Sequence, residues 1–234
     1  GTLEAISTVT GQVTFRGAPL PVEVCAYIDG TVVEVHERQS VTVETTGAFV
    51  QGIFGIGGET AGVIMPVVDG PDDVVDEDSI TADNAGAIVV GGARATLAAV
   101  RKAVAVGARA IVVGGVDDAD LRMLLGYDLG VAITGHETVG ITMLLTEGFG
   151  HIPMAGKTFA LLSSLRGCKA SINGQTQIRA GVLRPEIIVP DPAAAAALDE
   201  QAAHLLLDLG ARVRCIREPH FGALGVVNAL PVEP

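Results

Sequence analysis

Apolar and polar positions alternate in blocks along this chain, and one block is repeated. Ala87-Ile88-Val89-Val90-Gly91-Gly92 returns letter for letter as Ala110-Ile111-Val112-Val113-Gly114-Gly115. Each copy is an apolar, β-branched run stopped by paired glycines, the pattern of a strand buried on both faces of a parallel sheet. Helical spacing follows each copy. Leu97, Val100 and Val104 predict a helix within 94–106, with Gly107 as its stop. Asp117, Asp118 and Asp120 suit the positive end of a helix that runs through Leu121, Leu124 and Leu125 to Gly126. Further strands are expected over 130–134 and 141–146. Pro153 then opens a helix through Phe159, Leu162 and Leu165 that ends at Gly167. Right-handed crossovers would make these strands parallel. The fold class expected is α/β, with a central, mostly parallel sheet of βα units over residues 84–190.

Residues 1–68 read instead as β structure. Gly1 to Ile6 leading to Val13-Thr14-Phe15 resembles Gly30 to Val35 leading to Val41-Thr42-Val43. Each is a pair of short alternating strands about a polar turn. With 26–32 as a core, these hairpins resemble half of a barrel-sandwich hybrid, the fold of biotinyl and lipoyl carriers. The second turn, His36 to Ser40, has no lysine to acylate, so the resemblance implies a structural module and not a carrier. Gly52, Gly55, Gly57 and Gly58 lack the Gly-Lys-Ser/Thr ending of a phosphate loop and read as tight turns or close packing. Residues 69–83 read as an acidic surface loop ending in a helix capped by Asp78 or Ser79. Asn173-Gly174 between alternating runs signals a tight hairpin. Glu186 to Val189 is one more strand, and 191–209 is an alanine-rich helical connector.

The last segment, 210–234, has a Val213-Arg214 strand, a Pro219-His220-Phe221-Gly222 turn, Gly225 and a second apolar strand. It resembles the KOW motif of NusG-type transcription factors and some ribosomal proteins. The chain as a whole resembles uncharacterised KOW-domain proteins of bacteria. The resemblance implies a partial SH3-like barrel and contact with RNA or a transcription or translation partner. The sequence ends at Pro234 before a full barrel could form, and it begins without methionine; both are expected of a segment cut from a longer protein.

Composition sharpens this picture. Hydrophobic residues make up 49% and mean hydropathy is +0.47, yet aromatics are 3% and tryptophan is absent. Such a core is aliphatic. No apolar run has the length of about 18 residues that a membrane span needs, and no signal sequence is visible. A cytoplasmic protein without membrane contact is expected. The net charge of −12 weighs against binding nucleic acid over the whole surface, though not at a local basic patch. Cys25, Cys168 and Cys215 form neither a disulfide framework nor a zinc motif.

Parallel sheets bind ligands at the carboxyl ends of their strands. The loops expected there carry Gly91, Gly92, Gly114, Gly115, Asp117, Thr134, His136, Glu137, Glu147 and His151. Three uses compete. The glycines could admit an anion at helix N-termini. His136, Glu147, His151 and an aspartate could hold a divalent metal, though the usual ligand spacings are missing. Or these residues cap helices and tighten turns. His136 or Glu147 could also act in acid–base chemistry, given a substrate and a second group. No Gly-x-Ser-x-Gly elbow and no dinucleotide fingerprint occurs, and no cofactor is indicated. Arg212, Arg214 and Arg217, with Arg179 and Arg184 nearby in sequence, form the candidate patch for RNA or a protein. The leading expectation is a non-catalytic interaction or scaffold protein acting through the C-terminal unit. The alternative is a small-molecule or metal-binding sensor or enzyme at the carboxyl edge of the sheet.

Overall fold

A computed structural model describes residues 1–20, 24–126, 139–177, 183–191, 209–215 and 224–230. In chain order the strands begin with β1 (Thr2–Ile6), β2 (Val13–Arg16), β3 (Thr31–His36) and β4 (Ser40–Glu44). Next come β5 (Gly47–Gln51), β6 (Phe54–Ile56), β7 (Glu59–Pro66) and β8 (Val74–Val75). Beyond a 3₁₀ turn at Ala82–Asn84 lie β9 (Ala87–Val90), β10 (Arg94–Ala95), α1 (Leu97–Val106), β11 (Ala110–Val116) and α2 (Asp118–Leu125). The rest are β12 (Thr142–Phe149), α3 (Gly156–Ser164), β13 (Lys169–Asn173), β14 (Glu186–Pro190), β15 (Arg212–Arg214) and β16 (Leu224–Val226). The expected strand at 130–134, its loop and the connector helix after Asp191 lie outside the described residues.

The fold is α/β but rich in strands, around one mixed sheet. The repeated hexapeptides do lie side by side and parallel: Ala110, Ile111 and Val112 of β11 pair with Ile88, Val89 and Val90 of β9. Parallel pairing continues to β7 on one side and to β12 on the other. β13, β14, β5 and β6 are antiparallel to their neighbours, so the sheet is less parallel than the sequence suggests. β5, β6 and β7, read from the sequence with the N-terminal hairpins, belong to this sheet.

One stretch of backbone closes the sheet on itself. β5 pairs with β14, while β6, a few residues on, pairs with β12. Between them Gly52 N donates to Pro185 O at 2.7 Å and Ile53 N donates to Leu145 O at 2.9 Å. The path β5-β14-β13-β7-β9-β11-β12-β6 therefore returns to the segment on which it began. Thr176 is buried at this seam, where its hydroxyl accepts from Gly55 N at 2.8 Å and donates to Gly55 O at 3.1 Å.

Closure gives the sheet an inner and an outer face. Ile64, Ile88, Val112, Leu144, Ile172 and Ile187, each from a different strand, meet in one cluster with Phe159 and Leu162 of α3. The alternate residues Val89, Ile111, Val113, Met143 and Leu145 face outward under Ala99, Val100 and Ala103 of α1 and Leu121 of α2. β9 and β11 are consequently buried along their whole length. Each such side chain contributes roughly 1.5–3 kcal/mol by leaving water. α1 and α2 stop where their sequences indicate, but α1 starts only at Leu97, because Arg94-Ala95 is β10, and α3 spans Gly156–Ser164 and not the whole stretch from Pro153 to Gly167. Thr96 caps α1 by accepting from Ala99 N at 3.2 Å, and Gly107 and Gly126 take the left-handed conformation at the ends of α1 and α2.

Two local expectations give way to tertiary contacts. Asn173-Gly174 is not a two-residue hairpin, since β13 pairs with β14 across a longer connection. A Cβ on Gly174 would stand 2.1 Å from Ile56 O, so the glycine serves the seam. In the acidic loop, Asp76 accepts from Ser79 N and Ser79 Oγ, and the expected helix is only a 3₁₀ turn preceded by Thr81.

Gly174→Ala is expected to cost about 2–3 kcal/mol in urea unfolding, because the clash is with backbone. Gly58→Ala, which has nothing within 4 Å of the new methyl, should stay within about 0.5 kcal/mol of wild type. Equal effects at both sites would refute the tight seam.

Candidate functional site

The loops at the carboxyl ends of β9, β11 and β12 do converge, as parallel pairing requires. They converge on each other and fill the space between them. A Cβ on Gly114 would be 2.0 Å from Ile152 O, and one on Gly115 would be 2.4 Å from Gly150 O. A Cβ on Gly91 would strike the Val75 side chain, and one on Gly92 would meet Asp73 O and Gly70 O, each at 2.5 Å. The amides an anion would need are also committed. Gly91 N donates to Val112 O, Ala93 N to Asp73 O, Gly114 N to Gly92 O and Gly115 N to Ala93 O, all at 2.7–2.8 Å. These glycines bring backbone against backbone.

The charged residues of this edge are engaged as well. Asp117, the residue before α2, pairs with Arg94 of β10. The Arg94 Nε is buried without a hydrogen-bond partner. Glu147 Oε1 accepts from Ala155 N at 3.0 Å and so places a carboxylate at the N-terminal end of α3. There it complements the helix dipole. The Gly-Lys-Thr triplet sought near residue 58 stands instead at Gly156-Lys157-Thr158, in the first turn of α3. The sequence reading missed it, although the residues are plain in the chain. Lys157 and Thr158 line a cleft of about 290 Å³ with Phe49, Val50, Gln51, Thr146 and Leu161. Glu147 already supplies negative charge to this helix end, which opposes a phosphate there. His151 is exposed. Thr134, His136 and Glu137 lie outside the described residues. Among the described residues no three His, Cys, Asp or Glu side chains gather in a way that could hold a metal.

A second polar cluster had no signal in the sequence, because strand register assembles it. Asn173 of β13 stands opposite Glu59 of β7 on one side and Glu186 of β14 on the other. By alternation these positions share the outer face, since Ile172 points inward. The segment leading into β3 crosses this face. Lys169 Nζ donates to Asp29 Oδ2 at 2.6 Å, and the Tyr27 hydroxyl is buried without a hydrogen-bond partner. Burial, and then Glu186 and Glu59, push the Tyr27 pKa up. Burial, and then Glu59, raise that of Glu186. The cluster anchors the N-terminal segment to the sheet.

The basic patch is described in part. Arg212 and Arg214 are the outer positions of β15, which pairs antiparallel with β16: Arg212 opposite Val226, Val213 opposite Gly225, Arg214 opposite Leu224. Gly210 N donates to Val227 O at 2.8 Å and Val227 N to Ala211 O at 3.0 Å, which extends the pairing. Arg217 and the Pro-His-Phe-Gly turn lie outside the described residues. No helix among the described residues is long and apolar enough to cross a membrane. No protein-family model, curated protein or solved structure matches this chain.

Glu147→Ala should lower stability by about 1 kcal/mol through loss of the charge at the start of α3, read by urea unfolding. An unchanged midpoint would remove that role. Glu186 binds its proton more readily in the folded chain than in the unfolded one, so its stabilising contribution is present at low pH and is lost as pH rises through the raised folded value. Glu186→Gln should therefore raise the melting temperature at neutral pH. Its advantage should shrink as pH falls to the ordinary value of 4.5. A lower melting temperature at neutral pH would contradict this account.

Proposed function

We propose that this chain is a non-catalytic interaction protein whose C-terminal unit contacts RNA or a protein partner of the transcription or translation machinery. The observation that carries the reading is the register of β15 on β16. Two arginines alternate with Val213 on a short strand, and the returning strand lays Gly225 beside that valine. This antiparallel pair with a basic first strand fits the plan that the resemblance to KOW units implies. A local pair of arginines gives an otherwise acidic chain a place where phosphates can approach. The filled carboxyl edge supports the same reading. Its glycine amides bond to backbone, and Asp117 and Glu147 are committed to Arg94 and to α3. The closed sheet then serves as the rigid body from which the C-terminal unit is presented.

Fluorescence anisotropy with a labelled RNA of mixed stem and loop tests the proposal. Binding is expected at low salt and should weaken as salt rises. Arg212→Ala with Arg214→Ala should reduce affinity about tenfold and flatten the logarithmic salt slope by about 1–2. Absence of binding to RNA and of copurifying transcription or translation factors would overturn it, as would RNA affinity that the double variant leaves unchanged.

A further inference from the structure

Closure leaves one strand edge open. β5 pairs with β14 on one side and with no described strand on the other. The chain passes through Gly52 and Ile53 into β6, which joins β12 only over Met143 to Leu145. Beyond Leu145, β12 pairs with β11 alone among the described strands. β5 and the end of β12 therefore part beyond the seam. The cleft of about 290 Å³ lies where they part, with Phe49 and Gln51 on one side, Thr146 on another, and Lys157, Thr158 and Leu161 of α3 between them.

Register decides which groups β5 offers to this cleft. At the two ends of the β5–β14 ladder, Asp191 N donates to Thr46 O at 2.8 Å and Gly52 N donates to Pro185 O at 2.7 Å. In an antiparallel ladder the directly opposed residues alternate between bonded and non-bonded pairs. Thr46, Ala48, Val50 and Gly52 are then the bonded positions. Phe49 and Gln51 turn their N–H and C=O groups away from β14, and no group among the described residues meets them. Residues 47–51 carry no charge, no proline and no bulge, the devices that keep an edge from pairing. Beside this edge Phe49 is 55% and Leu161 38% exposed. Lys157 is exposed, and among the described residues its Nζ meets no acceptor.

We infer that β5 is the docking edge for an extended segment of a partner protein, which lies in this cleft, pairs through its backbone with Phe49 and Gln51, and brings an acidic side chain to Lys157. Free donors and acceptors at alternate residues are what another strand satisfies. Side chains of the added strand alternate as those of β5 do. One set lies beside Phe49 and Gln51. The other turns inward with Ala48 and Val50, toward the side on which α3 packs. Lys157 and Leu161 are one turn apart on α3, about 6 Å, close to the roughly 6.7 Å between alternate residues of a strand. That spacing selects an acidic and an apolar residue two positions apart. Glu147, on the Ala155 amide, opposes a dianion here, whereas Lys157 balances a single carboxylate. The β5 of a second copy fits less well, because residues 47–51 carry no carboxylate.

Amide hydrogen exchange on the whole chain tests this, with a blocked heptapeptide in which threonine alternates with valine, glutamate and valine. In the free protein the Phe49 and Gln51 amides should exchange at least about tenfold faster than those of Ala48 and Val50. The peptide should slow both, with half-saturation between about 10 μM and 1 mM. Lysine in place of its glutamate should weaken binding about fivefold, and Lys157→Glu should reverse that preference. Gln51→Pro removes an edge N–H and no bond to β14, so it should melt like wild type and lose the peptide. If Gln51→Pro fails to fold, the reversal by the exposed Lys157→Glu decides by itself. Slow exchange at Phe49 and Gln51 in the free chain would overturn the inference, because the edge would already be covered. Protection that grows with protein concentration alone would overturn it in favour of a second copy. So would the absence of binding at 1 mM, binding retained by a folded Gln51→Pro, or a preference that Lys157→Glu leaves unchanged.

Discussion

The stretch 47–56 is shared between two edges, and the rest of the body depends on that sharing. Its first half completes the pairing of β14 and its second half that of β12. Without it the sheet would end in open edges with unpaired amides and carbonyls, a standing invitation to aggregation. With it, side chains from β7, β9, β11, β12, β13 and β14 meet in one largely aliphatic cluster. That interior explains a composition rich in valine, isoleucine, leucine and alanine and poor in aromatics. A closed, tightly curved sheet has room for branched aliphatic side chains, and α3 packs only Phe159 and Leu162 against them.

Closure also governs what the carboxyl edge can do. In an open α/β sheet the glycines after the strands leave a crevice. Here the loops after β7 and β12 fold back over the strand ends, and the missing side chains of Gly92, Gly114 and Gly115 are the space they occupy. The same residue type that admits a ligand in one topology admits the protein's own backbone in another. Among the described polar groups at this edge, Asp117 pairs with Arg94 and Glu147 caps α3, while His151 is exposed. Recognition, on our proposal, falls to the β15–β16 pair.

Much of this was legible from side-chain chemistry. The hexapeptide repeat announced adjacent parallel strands, and β9 and β11 are adjacent and parallel. Thr96, Gly107 and Gly126 mark helix ends where their backbone preferences place them. The alternation in residues 1–44 gave both N-terminal hairpins. The candidate site was less legible. Glu147 lies beside the carboxyl edge, and its bond to Ala155 N depends on how the following loop turns back. The row of Glu59, Asn173 and Glu186 had no trace in the sequence, because register alone brings those strands abreast.

The amino-acid sequence by itself determined the two N-terminal hairpins, the repeated strands β9 and β11 and the ends of α1 and α2. Those outcomes follow from hydrophobic period, β-branching and glycine conformation, which act over a few residues. Only the tertiary structure decided that β5 and β6 would close the sheet, that Asn173-Gly174 would serve the seam instead of a hairpin, and that the glycine-lined edge would be filled from within. Each of these depends on which backbone lies opposite which. That is settled by packing the whole interior at once, so no local preference encodes it.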